Sequence, residues 1–494
     1  METSKTTSAQ AEPMASRRDL FLGIGSLAGL GALAAESVAQ SPPPSTQRVP
    51  ETMLLRRATY GVTEESLAEM TDLGFTPWLT RQMTMTNNED SVCENAVRTH
   101  YPRAAMAFSQ LRVLEDDWET SNQLLGATMY RAIHSKRQLF QRLCEFWFDH
   151  FNIYMYKVGA WQTVDYYNTV IRKHALGKFP EMLWASAHHP AMMMYLDNAS
   201  SEGGNPNQNY AREIMELHTL SSTGGYTQYD VAELSRCLTG WGIEWDPQQP
   251  NYGQFEYHDW AHDDATKHVI TETIWAGGGK TDGERIIQYL AKHPNTAAFI
   301  AKKMVRWFMG VGNFYTLENL VAQKYLATNG DIKEMLKLIL KRNTLLLAAP
   351  KLKRPFHLYV SMIRAMGGTV TDIGGIRWGY LGQGGHEPFT WANPNGYPDE
   401  TEYWAGLMLP RWNFALNMMS GGLREITFDW RAVIGSANTA QKVVDRLNNV
   451  FFAGEQTQAE KDRMKSFLNY GVLNDNRLRG SIALSMCSPA FQWF

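Results

Sequence analysis

The segment NQNYAREIMELHTL, residues 207–220, places an amide, a guanidinium and two carboxylates within one predicted helix. Asn209, Glu213 and Glu216 fall on one side of this helix at i, i+4 and i+3 spacing. Glu213 could act as a general base or a metal ligand, with Glu216 as a second catalytic carboxylate. Asn209 and Arg212 would then bind an anionic substrate group. A structural Arg212–Glu216 ion pair with Asn209 as the helix cap explains the same spacing equally well.

A histidine lies in the aromatic segment FWFDHFNIY, residues 146–154. An apolar surrounding would shift the pKa of His150 and suit it to acid–base catalysis or to metal binding. The competing interpretation is a buried histidine whose ring nitrogens are satisfied by one donor and one acceptor. Asp149 is expected to point to another side of the helix and to be either solvated or paired within a helix turn.

The segment YHDWAHDDATKH, residues 257–268, is the densest group of candidate ligands in the chain. His262 and Asp263 could coordinate a divalent cation or form an acid–base couple, and Lys267 would hold an anionic group. The spacing of His258 and His262 would suit a metal pair on a helix, but the composition favours a loop. These side chains could equally bind the backbone amides of that loop.

These segments are predicted to meet in one pocket. A speculative metal set consists of His150, Glu213, His262 and Asp263, so a divalent metal ion is one candidate cofactor, and the cofactor is otherwise unknown. The loop at residues 367–403 contains Trp391 and Tyr397, which are predicted to contact the substrate or, alternatively, only to anchor the loop.

Several reaction classes lack their motifs. The chain has no G-x-S-x-G, no H-E-x-x-H and no C-x-x-C-H, which disfavours serine hydrolases, zinc-dependent peptidases of that type and c-type haem. Non-covalent haem stays open. The four cysteines form no C-x-x-C pair, and their spacing does not reveal whether disulfides form. The net charge of −3, without a basic block, gives no indication of nucleic-acid binding.

The N-terminus is typical of a twin-arginine signal peptide over residues 1–39. Arg17 and Arg18 precede an apolar, glycine-interrupted run from Leu20 to Ala35, and small residues follow at 37–39. An uncleaved anchor is the alternative, although the run is short for a membrane helix. Residues 40–50 form a Pro-rich linker. A periplasmic or secreted protein is predicted, which would meet the twin-arginine translocase during export and has no membrane span in the mature chain.

Helical periodicity dominates residues 51–494, which are predicted to form a single domain. Thr63, Thr227 and Asp282 are predicted to cap the starts of helices, and His293-Pro294 separates two others. A short strand or hairpin is expected in KHVITETIW, residues 267–275. The fold class is therefore mainly α, a large irregular helical bundle with long Gly/Asn/Pro-rich loops and at most a few short strands.

From about Met53 to the C-terminus, the chain resembles the bacterial "domain of unknown function 1800" family. The matching segments include LLRRATYGVTEESL, FWFDHFNIY, GGYTQYDVAELSRCLTGW, HDDATK and NPNGYPDETEYW. The resemblance implies an exported, largely helical protein of unsettled activity. It also suggests a partner from the phosphatase-like or sulfatase-like "domain of unknown function 1501" family, because genes of the two families often lie side by side.

The sequence thus predicts an extracytoplasmic enzyme, with hydrolase-like or metal-assisted acid–base chemistry on an anionic or polysaccharide envelope substrate. Two alternatives remain open at this point. One is a non-catalytic envelope binding or assembly protein that acts with a phosphatase-like partner. The other is a periplasmic oxidoreductase that receives its cofactor before export.

Overall fold

The structure, a computed structural model, describes residues 48–114 and 116–494. The predicted signal peptide and most of the predicted linker lie outside these residues. Pro50, which the linker prediction includes, is already the first residue of a helix. Proline is favoured there because the first helical position needs no backbone N–H donor.

Helices make up most of the described chain, so the predicted mainly α fold is confirmed. The described ranges contain 27 α-helices. They are α1 Pro50–Ala58, α2 Glu64–Leu73, α3 Phe75–Thr84, α4 Ser91–His100, α5 Phe108–Leu111, α6 Asp117–His134, α7 Gln138–His150, α8 Met155–Val158, α9 Ala160–Tyr166, α10 Phe179–Ala187, α11 Pro190–Tyr195, α12 Gln208–Glu213, α13 Gln228–Cys237, α14 Lys280–Lys292, α15 Pro294–Met309, α16 Tyr315–Thr328, α17 Ile332–Ile339, α18 Arg342–Leu345, α19 Pro355–Ala365, α20 Gly374–Ile376, α21 Thr401–Ala405, α22 Met408–Ser420, α23 Trp430–Ile434, α24 Ala440–Phe452, α25 Gln458–Asn469, α26 Asp475–Cys487 and α27 Pro489–Gln492.

The strands are short and form three antiparallel pairs. They are β1 Trp241–Ile243, β2 Phe255–Tyr257, β3 Lys267–Val269, β4 Glu272–Ile274, β5 Thr369–Val370 and β6 Ile426–Thr427. Each pair joins consecutive strands: β1 with β2, β3 with β4, and β5 with β6. The β3–β4 pair is the hairpin predicted in this segment, with Lys267 opposite Ile274.

Local chemistry explains where several helices begin and end. Thr227 caps α13 in a capping box with Asp230, as predicted. Thr63 caps α2 in the same way with Ser66. Gly74 separates α2 from α3 because its φ of 79° lies where L side chains are strained. His293 lies between α14 and α15, which confirms the predicted break before Pro294.

Two cap predictions are wrong. Asn207, and not Asn209, caps α12, and its side chain accepts a hydrogen bond from the Asn209 backbone N–H at 2.8 Å. Gly279, and not Asp282, occupies the cap position of α14, because that helix already begins at Lys280. Asp282 is instead drawn into a buried ion pair, which is described below with the site.

Three six-residue segments are π-helical: Tyr167–Arg172, Ile214–Thr219 and Arg377–Gly382. π-helices make up well under about 1 % of residues in ordinary proteins, and they are frequent at functional positions. The second segment continues α12 and contains Glu216. A 3.6-residue period therefore does not describe the side-chain directions after Ile214, which weakens predictions based on i, i+4 spacing there.

The buried apolar side chains form two large clusters. The first is built mainly from α1 to α18, and the second mainly from α19 to α27 together with part of α6. In the described part of the chain, no helix is both long enough and apolar enough to cross a membrane. The helix α7 packs deep in the first cluster, and the side chain of its Trp147 is fully buried.

Candidate functional site

Two carboxylates project from α7 at i, i+4 spacing. Glu145 and Asp149 lie on the same side of the helix, where neighbours of this kind have Cβ atoms about 5–6 Å apart. Their side chains are 11 % and 16 % exposed. The prediction that Asp149 would be solvated is therefore wrong. This side of α7 meets Arg354 at the start of α19, more than two hundred residues along the chain.

A single guanidinium joins the two carboxylates. Arg354 donates from one terminal nitrogen to Asp149 Oδ2 at 2.7 Å and from the other to Glu145 Oε1 at 2.8 Å. Glu145 Oε2 accepts two further hydrogen bonds, from Arg142 at 2.5 Å and from the Tyr60 hydroxyl at 2.8 Å. Among the described residues, Glu145 thus accepts hydrogen bonds from three side chains, whereas Asp149 has one ion pair.

This difference separates the acidities of the two groups. Burial raises the pKa of Asp149 to about 6, against the lowering effect of Arg354, and nearby Glu145 adds to the increase. Burial acts in the same direction on Glu145, but the ion pairs with Arg142 and Arg354 outweigh it and lower the pKa of that carboxyl. Paired carboxylates with opposite pKa shifts are the usual arrangement of an acid–base site.

Both carboxylates border a cavity of about 30 Å³, measured as the space open to the centres of water molecules. A water molecule needs roughly 10–15 Å³ on this measure, so about two can enter. His386 also lines the cavity, and its Nδ1 accepts a hydrogen bond from the Phe356 backbone N–H. The remaining walls are mainly aromatic: Tyr60, Phe148, Tyr167, Phe356, Phe389 and Tyr397.

Cations surround the pair of carboxylates. The charged ends of Arg142, Lys351 and Arg354 each lie within 4.6–4.7 Å of the centre of the Trp307 indole ring. Such cation–π contacts stabilise positive charge where water is scarce. Lys351 also donates to Asp399 at 2.7 Å.

A fourth cation, Lys303, approaches from α15. Its Nζ donates to His150 Nδ1 at 3.0 Å, and burial lowers the pKa of this lysine to about 8, against the raising effect of Asp149 and Asp399. Among the described residues, Lys303 forms no ion pair within 4 Å. It is therefore the cation of this group that is free to pair with an anion from outside.

The loop at residues 391–400 closes over the end of α7. Gly396 has a φ of 72°, and a Cβ at this position would lie only 2.0 Å from the carbonyl oxygen of Asp149. Only glycine allows such a close approach to that backbone oxygen. The Asn152 amide adds two hydrogen bonds, to the carbonyl oxygens of Trp391 at 2.9 Å and Asn393 at 2.7 Å.

The two aromatic residues predicted to contact the substrate belong to this loop. Tyr397 lines the cavity, and its hydroxyl donates to the Glu387 carbonyl oxygen at 2.6 Å. Trp391 packs beside Tyr397 at 4.8 Å between ring centres and is half-buried. Their contact with a substrate stays a prediction.

His150 lies on α7 next to Asp149 but faces the protein interior. Its Nε2–H donates to the His218 carbonyl oxygen at 3.1 Å, while Nδ1 accepts from Lys303. Burial together with Lys303 holds the pKa of His150 well below its usual range. The ring is therefore neutral, 1 % exposed and satisfied at both nitrogens, as a buried structural histidine requires.

The residues of the first predicted motif lie on α12 and in the π-helical segment that follows it. Asn209 is exposed, and Arg212 donates to Gln228 at 2.8 Å rather than forming an ion pair with Glu216. Glu213 is partly buried, and burial together with Glu216 raises the pKa of its carboxyl. The two glutamates thus lie near each other, and their catalytic role stays a prediction.

The third motif forms a closed network of its own. Lys267 donates to Asp282 Oδ2 at 2.5 Å and lies 3.3 Å from His262 Nε2. His262 Nδ1–H donates to the Thr239 carbonyl oxygen at 2.8 Å. The side chains of these ionisable residues are at most 3 % exposed. The network ties the loop that carries His262 to α14.

Asp263, the third predicted site residue of that loop, points away from the network. Its carboxylate accepts two hydrogen bonds from Arg236, at 2.6 and 3.2 Å, and one from the Ala265 backbone N–H. These bonds lower the pKa of Asp263, with the Arg236 hydrogen bond as the largest cause. The Ala265 bond is of the kind that the alternative interpretation predicts, whereas His262, Lys267 and Asp263 otherwise contact Thr239, Asp282 and Arg236 outside the loop.

The comparison with protein-family models gives one match. The model described as "Protein of unknown function (DUF1800)" covers residues 53–493, nearly all of the described chain.

The chain belongs to the DUF1800 family.

No curated protein and no solved structure was found to match it. The DUF1800 segments quoted from the sequence can now be placed on the molecule. FWFDHFNIY carries Asp149, and NPNGYPDETEYW carries Gly396 and Asp399. These two segments meet at the cavity, whereas HDDATK lies in the His262–Lys267–Asp282 network.

The predicted metal set of this DUF1800 chain is not assembled. Across residues 48–114 and 116–494, no group of three or more His, Cys, Asp or Glu side chains is placed to hold a metal ion. His150 contacts Lys303, while His262 contacts Lys267 and Asp282. The structure therefore does not join His150, Glu213, His262 and Asp263 into one ligand set.

Sequence reasoning missed the pair of carboxylates and the arginine between them. One signal was present: Glu145 and Asp149 share i, i+4 spacing within a helix that was correctly predicted. Arg354 gave no signal, because a single arginine before Pro355 reads as an ordinary helix start. Only the fold shows that it reaches both carboxylates.

We expect Gly396→Ala to destabilise the protein by about 3 kcal/mol or more, because the new Cβ would meet the Asp149 carbonyl oxygen in a left-handed backbone conformation. Gly406→Ala is the matched control, since a Cβ there meets nothing within 4 Å and its φ is −73°. Urea unfolding measures both. Equal stability of the two variants would contradict the close approach.

We also expect Asp282→Asn to cost about 3–5 kcal/mol, because Lys267 would be left buried without its counter-ion. The double variant Lys267→Met/Asp282→Leu should recover most of this loss. In the same helix, Glu284→Gln removes only the exposed pair with Lys280 and should cost less than about 1 kcal/mol. An unchanged free energy of unfolding in Asp282→Asn would show that the network is not structural.

Proposed function

We propose that this protein is an extracytoplasmic hydrolase in which Asp149 is the acid–base group, Glu145 is its permanently ionised neighbour, and the substrate is an anionic envelope compound. One observation carries the proposal: two carboxylates on the same side of α7 border one cavity, share one guanidinium and have pKa values shifted in opposite directions. The proposed extracytoplasmic location depends on the N-terminal sequence alone.

Asp149 is the group that exchanges protons in this proposal. With a pKa of about 6 it is mostly ionised at neutral pH yet basic enough to accept a proton. A water molecule in the cavity transfers a proton to Asp149 while its oxygen bonds to the electrophilic atom of the substrate. The bond to the leaving oxygen breaks, and the protonated Asp149 returns its proton to that oxygen.

Glu145 has a different role, since its low pKa keeps it ionised throughout. Its negative charge holds Arg142 and Arg354 beside the two carboxylates. Arg354 in turn fixes the direction of the Asp149 carboxylate. The two carboxyl groups thus have different functions, because their different surroundings give them different pKa values.

The cations that surround the two carboxylates support an anionic substrate. Four cations, Arg142, Lys303, Lys351 and Arg354, face the three carboxylates Glu145, Asp149 and Asp399. Lys303 is the cation without a carboxylate partner among the described residues, and its side chain is partly exposed. A cavity that admits about two water molecules receives the reacting group only, so the remainder of a polymeric substrate would lie outside it.

A second candidate function is non-catalytic binding of an envelope polymer, together with a phosphatase-like partner as the family resemblance suggests. A surface aromatic group favours it. Trp118 and Trp378 stack with ring centres 5.4 Å apart and remain 47 % and 54 % exposed. Buried Arg377 lies under both rings and donates to the Tyr156 hydroxyl at 2.8 Å. Exposed tryptophans of this kind suit contact with a sugar ring or a partner protein.

We expect Asp149→Asn to lower hydrolysis by about 10²–10⁴-fold, because asparagine cannot accept the proton. The assay is release of product from aryl esters, phosphate diesters and glycosides, followed by isolated anionic envelope polymer. Asp72→Asn, an exposed position on α2, is the control and should retain full activity. If Asp149→Asn folds and hydrolyses at the rate of the unmodified protein, Asp149 is not the acid–base group. If every substrate is bound without being cleaved, the binding function is favoured.

The raised pKa of Asp149 should make the free energy of unfolding depend on pH. The pKa of Asp149 is higher in the folded protein than in the unfolded chain, so the folded state binds the proton more tightly. The stabilisation that results from this tighter proton binding is complete below about pH 4 and is lost as the pH rises through about 6. It amounts to a free energy of unfolding on the order of 3 kcal/mol.

Urea unfolding between pH 4 and pH 7 measures this contribution. The difference in unfolding free energy between the unmodified protein and Asp149→Asn should decrease across that range. A difference that is constant with pH would contradict the raised pKa.

A further inference from the structure

A second cavity lies behind the site, between α1, α19 and the last residues of the chain. It has about 20 Å³ open to the centres of water molecules. Arg56, Gly61, Lys353, Ser361 and Phe491 are among the residues that line it. The space is sufficient for one particle about the size of a water molecule.

The cationic end of Lys353 has no acceptor in the described part of the chain. The residue is only 6 % exposed, and the contact of its Nζ is with the ring of Phe491, 4.0 Å from the ring centre. A buried ammonium without a hydrogen-bond acceptor or a counter-ion is costly. This makes Lys353 a donor that lines a cavity and lacks a partner.

The charges nearby do not compensate for it. Arg56 also lines the cavity, but its guanidinium is already engaged by Glu455 at 2.8 Å and by the Phe452 carbonyl oxygen at 3.3 Å. Arg57, the next residue on α1, is fully buried and leaves Nε and one terminal nitrogen without partners among the described residues. Three cations thus lie close together, and Glu455 pairs with one of them, Arg56.

We propose that this cavity binds a halide-sized monovalent anion, for which chloride is the physiological candidate, with Lys353 Nζ as its main donor. The anion would supply the acceptor that Lys353 lacks and the negative charge that this region lacks. A phosphate or sulfate group, with five heavy atoms, exceeds the space.

The rival explanation is that Lys353 is uncharged and the cavity holds water. Burial, followed by repulsion from Arg56, lowers the pKa of Lys353 well below its usual value when no anion is present. A bound halide would oppose both effects and favour the charged form. The two explanations therefore differ in whether protein stability responds to the identity of the anion.

The anion site would support the geometry of the neighbouring cavity. Lys353 directly precedes Arg354, which joins the two carboxylates, and Gly61 directly follows Tyr60, which donates to Glu145. Ser361 connects the two regions, since its hydroxyl lies 2.8 Å from the Tyr60 carbonyl oxygen. The inference nevertheless depends on residues outside the proposed catalytic pair, so it can fail or succeed independently of the proposed hydrolysis.

The first test is the thermal midpoint of the full chain at pH 7 in sodium bromide, sodium chloride or sodium methanesulfonate at equal ionic strength. We expect the midpoint to rise saturably with either halide, by about 2 °C or more at ten times the dissociation constant, because the anion binds only the folded state. Methanesulfonate, which is too large, should give no saturable rise. Identical curves in all three salts would overturn the proposal.

The second test identifies the site. The ³⁵Cl NMR line of chloride should broaden in the presence of the unmodified protein and sharpen again when bromide is added in competition. Lys353→Met should remove this broadening, and the exposed-lysine control Lys442→Met should retain it. If Lys353→Met does not fold, the anomalous signal of bromide in crystals of the unmodified protein replaces it. No broadening, or no bromide peak beside Lys353, would overturn the proposal.

Discussion

The structure around the cavity depends on one buried guanidinium. Arg354 is 4 % exposed, and it stands between two carboxylates that would otherwise repel each other at the surface of α7. It also lies directly before α19, so its ion pairs attach the second apolar cluster to the first. Removing a partner from such a buried network leaves an uncompensated charge, which is costly. The acidities of Glu145 and Asp149 and the packing of two groups of helices therefore have a common origin.

The same guanidinium explains why two neighbouring carboxyl groups have pKa values shifted in opposite directions. Among the described residues, Glu145 accepts hydrogen bonds from Arg354, Arg142 and Tyr60, whereas Asp149 accepts them from Arg354 alone. Burial penalises both charged forms, but only Glu145 has enough donors to overcome that penalty. A general base that works near neutral pH needs a pKa close to that pH. Asp149 approaches this value because its hydrogen-bond donors only partly offset the effect of burial. Lys303 and Lys353 form no ion pair among the described residues. This surplus of positive charge is what we propose that anions from solution neutralise.

Local features of the fold could be predicted from the sequence because local chemistry decides them. Thr227 with Asp230 identifies the start of α13, and Pro294 separates two helices, since capping and proline geometry act within a few residues. The candidate site could be predicted much less well. Its partners are brought together over more than two hundred residues, and the π-helical turn after Ile214 changes the side-chain directions that i, i+4 counting assumes. His262 and Lys267 were recognised as a group, but their buried partner Asp282 was taken for a helix cap.

The most direct measurement of this account is the titration of the Asp149 carboxyl carbon by ¹³C NMR, with Asp149→Asn used to assign the signal. The account predicts a midpoint near pH 6 for Asp149, while the Glu145 signal shows an ionised carboxylate throughout the range in which Asp149 titrates. A midpoint below about pH 4, the ordinary value for an exposed aspartate, would contradict it, because the two carboxylates would then have the same character and no acid–base pair would exist.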